Sequence, residues 1–182
     1  MTINVMTMQR CVLLLQGINV GGRNRVAMAD LRALLQAEGC TEVVTYLQSG
    51  NAVVTAEPVG LAVKLEQALH ERVGIRSRFF LRSAEELAMV VAANPFPLRA
   101  AEPKKLHVAF LADPVDAPTV TRMGLRHADD EIGIGRHELY LSYEVNSRDS
   151  PLAGVLRQLR TPFTARNWTT VTKLAALVGS GP

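Results

Sequence analysis

Hydrophobic positions in the first half of the chain follow strand spacing and helix spacing in turn. The predicted strands are Val12–Gln16, Val43–Leu47, Ala52–Thr55 and Ile75–Arg82, and the predicted helices are Met28–Glu38 and a second from Glu57 to Gly74. Gln48-Ser49-Gly50-Asn51 reads as the hairpin turn between two of these strands. This βαββαβ order is the ferredoxin-like pattern, so we predict an α+β fold with a ferredoxin-like subdomain at residues 8–82.

The second half has a less regular pattern, and we expect a second, smaller α+β subdomain at residues 83–182, packed against the first. Ser83 and Glu86 have the spacing of a capping box, which predicts the start of a helix. The remaining predicted elements are a strand at Leu106–Leu111, a weaker helix from Asp113 to about His127, a hairpin of Ile132–Ile134 with Glu138–Tyr143, and helices at Pro151–Leu159 and Ala165–Val178. Met1–Thr7 lacks alternation, so we expect it to be loosely held.

Composition narrows the class of protein. No apolar run approaches the roughly 20 residues that span a bilayer, and the first ten residues do not resemble a signal peptide. Two cysteines offer no disulfide framework, so we expect a cytoplasmic protein with no membrane association. The net charge is +3, and 16 of the 20 basic residues are arginine, a side chain suited to phosphate and carboxylate recognition.

The segment Gly17–Arg25 joins an apolar strand to an amphipathic helix. Such a turn presents backbone N–H groups and the positive end of a helix to anions. Arg23 and Arg25 add charge, although the segment is neither a Walker A loop nor a dinucleotide fingerprint. The candidate ligand-binding residues here are Asn19, Gly21, Gly22, Arg23 and Arg25.

Two further polar segments, Tyr46–Asn51 and Thr164–Val171, supply the candidates Ser49, Asn51, Arg166 and Asn167. Helical spacing places Asn167 on the apolar face of the last helix and Arg166 on its polar flank. We therefore expect Arg166→Ala to cost little stability and Asn167→Ala to leave buried partners unpaired. Because ligand sites in open sheets favour strand ends where connections diverge, we predict that Asn19, Ser49, Asn51 and Asn167 surround one cleft.

Leu13–Gly22, Tyr46–Asn51 and Thr164–Val171 together resemble the signatures of the bacterial domain-of-unknown-function 1697 family, from about Met8 to Leu177. The resemblance implies an α+β fold of two subdomains, and it implies no established activity, cofactor or catalytic residue. The chain departs from the family at Gln16, where arginine is usual, at Ala27, where proline is usual, and at Asn146–Pro151, where a glycine-rich stretch and Ser-Lys are usual.

The leading hypothesis is binding of a phosphate-bearing small molecule or nucleotide at a cleft formed by Gly17–Arg25, Gln48–Asn51 and Thr164–Val171. Nucleic-acid binding through the stripe Arg76, Arg78 and Arg82 is less expected, because the strand Val12–Gln16 is apolar on both faces and needs cover rather than an open RNA-binding surface. A purely structural or interaction role is the third alternative.

Different observations favour each hypothesis. A sulfate or phosphate at Gly22 favours ligand binding, a continuous exposed arginine groove favours nucleic acid, and asparagines saturated by internal bonds favour the structural role. The sequence predicts no metal site. It leaves the cofactor, the oligomeric state and enzymatic activity open.

Overall fold

The computed structural model describes residues 7–127 and 129–180, so Met1–Met6 of the N-terminal segment expected to be loose lie outside the described residues. The chain divides into two compact units. One runs to Glu86 and includes the C-terminal stretch from Ala176, and the other is Leu87–Ala175. The predicted division lay after residue 82, whereas this division falls four residues later.

The first unit is built on a four-stranded antiparallel sheet with two helices. Its strands are β1 Gln9–Leu15, β2 Thr41–Tyr46, β3 Asn51–Ala56 and β4 Phe79–Ser83, and its helices are α1 Met28–Ala37 and α2 Leu61–Val73. The order across the sheet is β2-β3-β1-β4, with β1 antiparallel to both β3 and β4. The predicted βαββαβ order and α+β class are confirmed.

Strand β1 is central to this sheet because its sequence is apolar at every position from Cys11 to Leu15. All five residues are buried. Cys11, Leu13 and Leu15 belong to the same core cluster as Leu31 and Leu35 of α1 and Leu65 and Leu69 of α2. Leucines spaced three and four apart give each helix the apolar stripe that this face of the sheet requires. The interpretation of Cys11 as a small buried hydrophobe is correct, and burial raises the pKa of its thiol to about 12.

The remaining chain forms a second antiparallel sheet with further helices. Its strands are β5 Leu106–Leu111, β6 Arg126–His127, β7 Asp130–Ile134, β8 Glu138–Ser142 and β9 Phe163–Asn167, in the order β6-β7-β8-β5-β9. Its helices are α3 Ala84–Ala92, α4 Ala117–Met123, α5 Leu152–Leu156 and α6 Trp168–Gly179, with a 3-10 helix at Pro97–Ala101. The capping box at α3 is confirmed: Ser83 Oγ accepts from Glu86 N at 3.1 Å, and Ser83 N donates to Glu86 Oε2 at 2.8 Å.

The segment predicted as a single helix from Ala165 to Val178 contains the end of a strand followed by a helix. Phe163–Asn167 is the edge strand β9, paired with β5, and α6 begins only at Trp168. Arg166 therefore lies in a strand rather than on the polar flank of a helix. The segment Ile75–Arg82 was also predicted too long, since β4 begins at Phe79. No helix in the described ranges is both long enough and apolar enough to cross a membrane.

Candidate functional site

The Gly17–Arg25 segment is a loop held in left-handed backbone conformations. Gly17, Asn19, Gly21, Gly22 and Asn24 all have φ between 49° and 76°. Glycine adopts this region without steric cost, and asparagine tolerates it better than most residues. The glycines and asparagines of the motif are therefore what the loop conformation requires.

Asn19 fixes this loop with its side chain. Its Nδ2 donates to Val26 O at 2.9 Å and to Gln48 O at 2.7 Å, while its Oδ1 accepts from Val26 N at 2.9 Å. The bond to Gln48 reaches the hairpin turn between β2 and β3. Asn19 is thus engaged by internal backbone bonds.

The hairpin turn itself packs under the loop. At Gly50, an added Cβ would lie 2.7 Å from Ile18 Cδ1 and 2.8 Å from Leu15 Cβ, too close for any side chain. Buried Asn51 donates from Nδ2 to Tyr46 O and to Ser49 Oγ, both at 2.9 Å. Ser49 and Asn51 therefore act inside the turn.

The two arginines of the loop differ from its asparagines. Arg23 and Arg25 are exposed, and within the described residues neither guanidinium makes a hydrogen bond or ion pair. The guanidinium of Arg25 lies close to Gly22, since a Cβ added at Gly22 would be 3.9 Å from Arg25 Nη2. A recess of about 500 Å³, here called the loop recess, is lined by Asn19, Gly22, Arg25, Val26, Ala27 and Gln48.

Helix α1 begins at the edge of this recess. Its N-cap residue is Ala27, and no side chain accepts a hydrogen bond from the first turn. An uncapped N-terminus leaves backbone N–H groups without acceptors and carries partial positive charge. Asp30 in the first turn offsets part of that charge.

The Thr164–Val171 segment has a different structure. Arg166 is 8% exposed, and its Nη1 donates to Thr164 Oγ1 at 2.7 Å and to Ala165 O at 2.8 Å. Burial lowers its pKa to about 10. Asn167 caps α6, because its Oδ1 accepts from Thr170 N at 2.9 Å. The expectation that Arg166 lies on the polar flank of a helix is wrong, and its burial argues against a small stability cost for Arg166→Ala.

The candidates fall in both units. Gly17–Arg25 and Gln48–Asn51 belong to the first unit, and Thr164–Val171 belongs to the second. Within the first unit, the Asn19–Gln48 bond joins two of the predicted segments. The grouping of Asn167 with Asn19, Ser49 and Asn51 around one cleft stays a prediction.

The predicted arginine stripe is interrupted. Arg76 and Arg78 are exposed in the segment before β4, but Arg82 is 7% exposed and donates to Leu81 O. The two exposed arginines instead line an open cleft of about 570 Å³, here called the polar cleft. Its lining residues are Gln16, Gly17, Asn24, Glu66, Gln67, His70, Arg76, Ser77 and Arg78.

Sequence reasoning missed the contribution of α2 to this cleft. Glu66 and His70 are four residues apart, so they lie on the same side of the helix, and that polar spacing was the available signal. The sequence pattern does not indicate the hydrogen bonds between the 75–78 segment and Gln16, the residue after β1. In the described part of the chain, no group of three or more His, Cys, Asp and Glu side chains is arranged to hold a metal ion.

Comparisons with known proteins give a family and a fold. Residues 8–140 match the sequence model of a family described as protein of unknown function, DUF1697. A conserved bacterial protein from Streptococcus pneumoniae is 27% identical, with a TM-score of 0.73, and the match covers 94% of this chain and 99% of that one. RNA recognition domains 1 and 2 of Sex-lethal from Drosophila melanogaster, 14% identical over 87% of this chain and 98% of that one, reach a TM-score of 0.26, which carries no argument. No curated protein matches the chain.

Proposed function

The chain belongs to the DUF1697 family, whose function is unknown, and we propose that it binds a phosphate-bearing small molecule or nucleotide at the loop recess. One observation carries the proposal: the uncapped start of α1 borders the same recess as the guanidinium of Arg25, which has no partner within the described residues. Backbone N–H groups at a helix start and an arginine fork are complementary to a phosphate.

The motif residues divide between two roles in this proposal. Asn19 and Gly22 build the loop, and Arg25 supplies the charge that meets the ligand. Arg23 is exposed beside it and adds to the positive field without lining the recess. A loop fixed by its own hydrogen bonds need not be ordered when the ligand arrives, so less binding free energy is lost.

A thermal-shift screen of nucleotides and phosphorylated metabolites, followed by calorimetric titration of each hit, tests the proposal, because selective binding raises stability by mass action. Arg25→Ala should weaken binding by about 1.5–3 kcal/mol, the range for charged hydrogen bonds. Asp30→Asn should have the opposite effect, because it removes a negative charge from the helix turn that faces the anion.

Arg148→Ala is the matched control. Arg148 is exposed, lines neither the loop recess nor the polar cleft, and its side chain has no partner within the described residues. The substitution removes the same charge, so it separates local contact from net charge. Equal affinity of the Arg25→Ala and Arg148→Ala proteins for every hit contradicts the proposal.

The structural alternative has its own support. Asn19, Asn51 and Asn167 all form internal hydrogen bonds, which is the observation that favours it. It predicts that no compound in the screen raises the melting temperature and that neither Arg25→Ala nor Asp30→Asn changes anything except solubility.

A further inference from the structure

The polar cleft is a second place in the first unit where exposed arginines border an open volume. We propose that it binds a sugar phosphate, with the phosphate on Arg76 and Arg78 and the sugar hydroxyls on Glu66 and His70. The inference goes beyond the proposed function, because none of these residues lines the loop recess.

The two arginines of the cleft have donors available for a phosphate. Arg78 is exposed, and its guanidinium makes no hydrogen bond or ion pair within the described residues. Within the described residues, the guanidinium of Arg76 makes one hydrogen bond, from its Nη2 to His70 Nε2 at 3.3 Å. Each guanidinium carries five N–H donors in a planar fork that matches the oxygens of a phosphate.

The backbone that carries Arg76 and Arg78 is fixed by hydrogen bonds, although it is not part of a strand. Ser77 Oγ donates to Gln16 O at 2.6 Å, and Gln16 N donates to Arg78 O at 3.0 Å. These bonds join Ser77 and Arg78 to Gln16, the residue that follows β1. The two arginines therefore project from a positioned segment, and binding does not have to order that backbone.

Glu66, which also lines the cleft, requires a ligand that donates hydrogen bonds. Glu66 Oε1 accepts from Phe79 N at 2.9 Å, which fixes the carboxylate, and Oε2 has no partner within the described residues. An ionised carboxylate only accepts hydrogen bonds and repels a second anion. A bare phosphate therefore matches the arginines of the cleft but is disfavoured beside Glu66.

His70 lies one helical turn beyond Glu66 and offers a ligand a hydrogen-bond donor. Because an arginine has only donors, His70 Nε2 is the acceptor in its contact with Arg76, and Nδ1 then carries the ring proton. Asn24 and Gln67 line the same cleft, and their amides both donate and accept. A row of hydroxyl groups, each of which also donates and accepts, matches this set of side chains.

The lining favours a sugar over a nucleobase. Bases are held by stacking on aromatic rings or guanidinium planes, or by apolar surface, and the two guanidinium groups of this cleft are assigned to the phosphate. Among the nine lining residues, the imidazole of His70 is the one ring, and no aliphatic side chain is present. The chemistry of the cleft is therefore one of charge and hydroxyl recognition throughout.

Isothermal titration of the full chain at low salt tests the inference, with glucose 6-phosphate, glucose, inorganic phosphate and AMP as probes. We expect glucose 6-phosphate to bind about tenfold more tightly than inorganic phosphate or AMP, which corresponds to about 1.4 kcal/mol. Glucose alone should show no heat of binding. AMP binding as tightly as glucose 6-phosphate would replace the sugar phosphate with a nucleotide and overturn the inference.

Two variants locate the binding. Arg78→Ala should weaken glucose 6-phosphate binding about tenfold or more, as for loss of a charged hydrogen bond, while Arg148→Ala changes it less than twofold. Glu66→Gln keeps an oxygen to accept from Phe79 N but removes the negative charge. It should tighten inorganic phosphate and reduce the preference for glucose 6-phosphate about fivefold, because a neutral acceptor is weaker.

The outcomes separate this site from the loop recess. Loss of glucose 6-phosphate binding in Arg78→Ala but not in Arg25→Ala supports the polar cleft. Loss in Arg25→Ala alone overturns the inference and leaves the proposed function standing. An unchanged preference in Glu66→Gln, in a protein with wild-type circular dichroism and melting temperature, removes the hydroxyl-binding role and with it the sugar.

Discussion

Each unit contains a motif with an asparagine and an arginine, and the two motifs use their arginines in opposite ways. In the loop of the first unit, Asn19 makes three backbone hydrogen bonds and Arg25 is exposed without a partner in the described part of the chain. In the second unit, Asn167 caps α6 and Arg166 is buried. The asparagines are alike in role, whereas the guanidinium groups are not.

This difference shows that an arginine beside a turn is not by itself a ligand group. Arg166 donates to Thr164 Oγ1 and Ala165 O, and its lowered pKa of about 10 still leaves it charged at neutral pH. A buried charge is costly unless it is satisfied, so these bonds belong to the fold. In the part of the chain that the structure describes, the guanidinium of Arg25 makes no such hydrogen bonds, so it is available to a solute.

The largest expected effect is at Arg166. Arg166→Ala removes a buried, hydrogen-bonded cation and should lower the free energy of unfolding by about 2–3 kcal/mol. Urea denaturation measures it. A loss below about 0.5 kcal/mol is the range of ordinary surface substitutions. It would show that Arg166 contributes no more to stability than an exposed arginine, and would contradict the contrast drawn between the two motifs.

Asn19 should come next. Asn19→Ala removes three hydrogen bonds and places a less tolerant residue at a φ of 55°, so we expect about 1–3 kcal/mol of destabilisation. Glycine adopts a positive φ without strain, so Asn19→Gly measures the loss of the side-chain hydrogen bonds alone. If Asn19→Gly is as stable as the wild type, the side chain is not what holds the loop, and the same urea titration reveals it.

Asn167 should have a smaller effect, because it makes a single capping bond to the start of α6. Asn167→Ala should cost about 1 kcal/mol, the usual loss for a helix cap, and Asn167→Asp should recover most of it. Thermal and urea melts of the pair measure the difference. An aspartate variant no more stable than the alanine variant would mean that Asn167 acts other than as a cap.

The smallest effect should be at Arg23. It is exposed and has no side-chain partner in the described residues, so Arg23→Ala should change stability by less than about 0.5 kcal/mol. Its melting temperature should match that of the Arg148→Ala control. A clear loss would place Arg23 with Arg166 as a residue of the fold.

The first unit was predictable because its signals are local and consistent. Leucines at helical spacing with Gly39 and Gly74 after them define α1 and α2, and the short apolar runs around Gly50 define a hairpin. Both glycines have φ above 70°, as helix ends require. Each element could be read from its own residues.

Strand β9 was missed because its burial runs against its hydropathy. Thr164 and Arg166 are buried, whereas Ala165 between them is exposed. A pattern of apolar and polar positions therefore assigns the inward face to the wrong residues. The conformation of β9 is decided by its pairing with β5, which lies more than fifty residues away in sequence. The local spacing of apolar residues does not indicate such a long-range pairing.

The candidate site was predictable in the same uneven way. Glycines and arginines marked the loop, and the exposure of Arg25 agrees with that interpretation. The polar cleft depends on the contact of Ser77 with Gln16, sixty-one residues apart, which no motif encodes. That contact fixes the 75–78 segment, which lines the cleft together with side chains of α2.

The bond from Asn19 to Gln48 also has a kinetic consequence. A loop fastened to a neighbouring turn opens only when that bond and its partners at Val26 break together, so the Val26 amide proton should exchange slowly with deuterated solvent. A solute then meets a surface that is already in its final shape. Encounter rates should approach those of a rigid receptor, and residence time alone should distinguish one ligand from another.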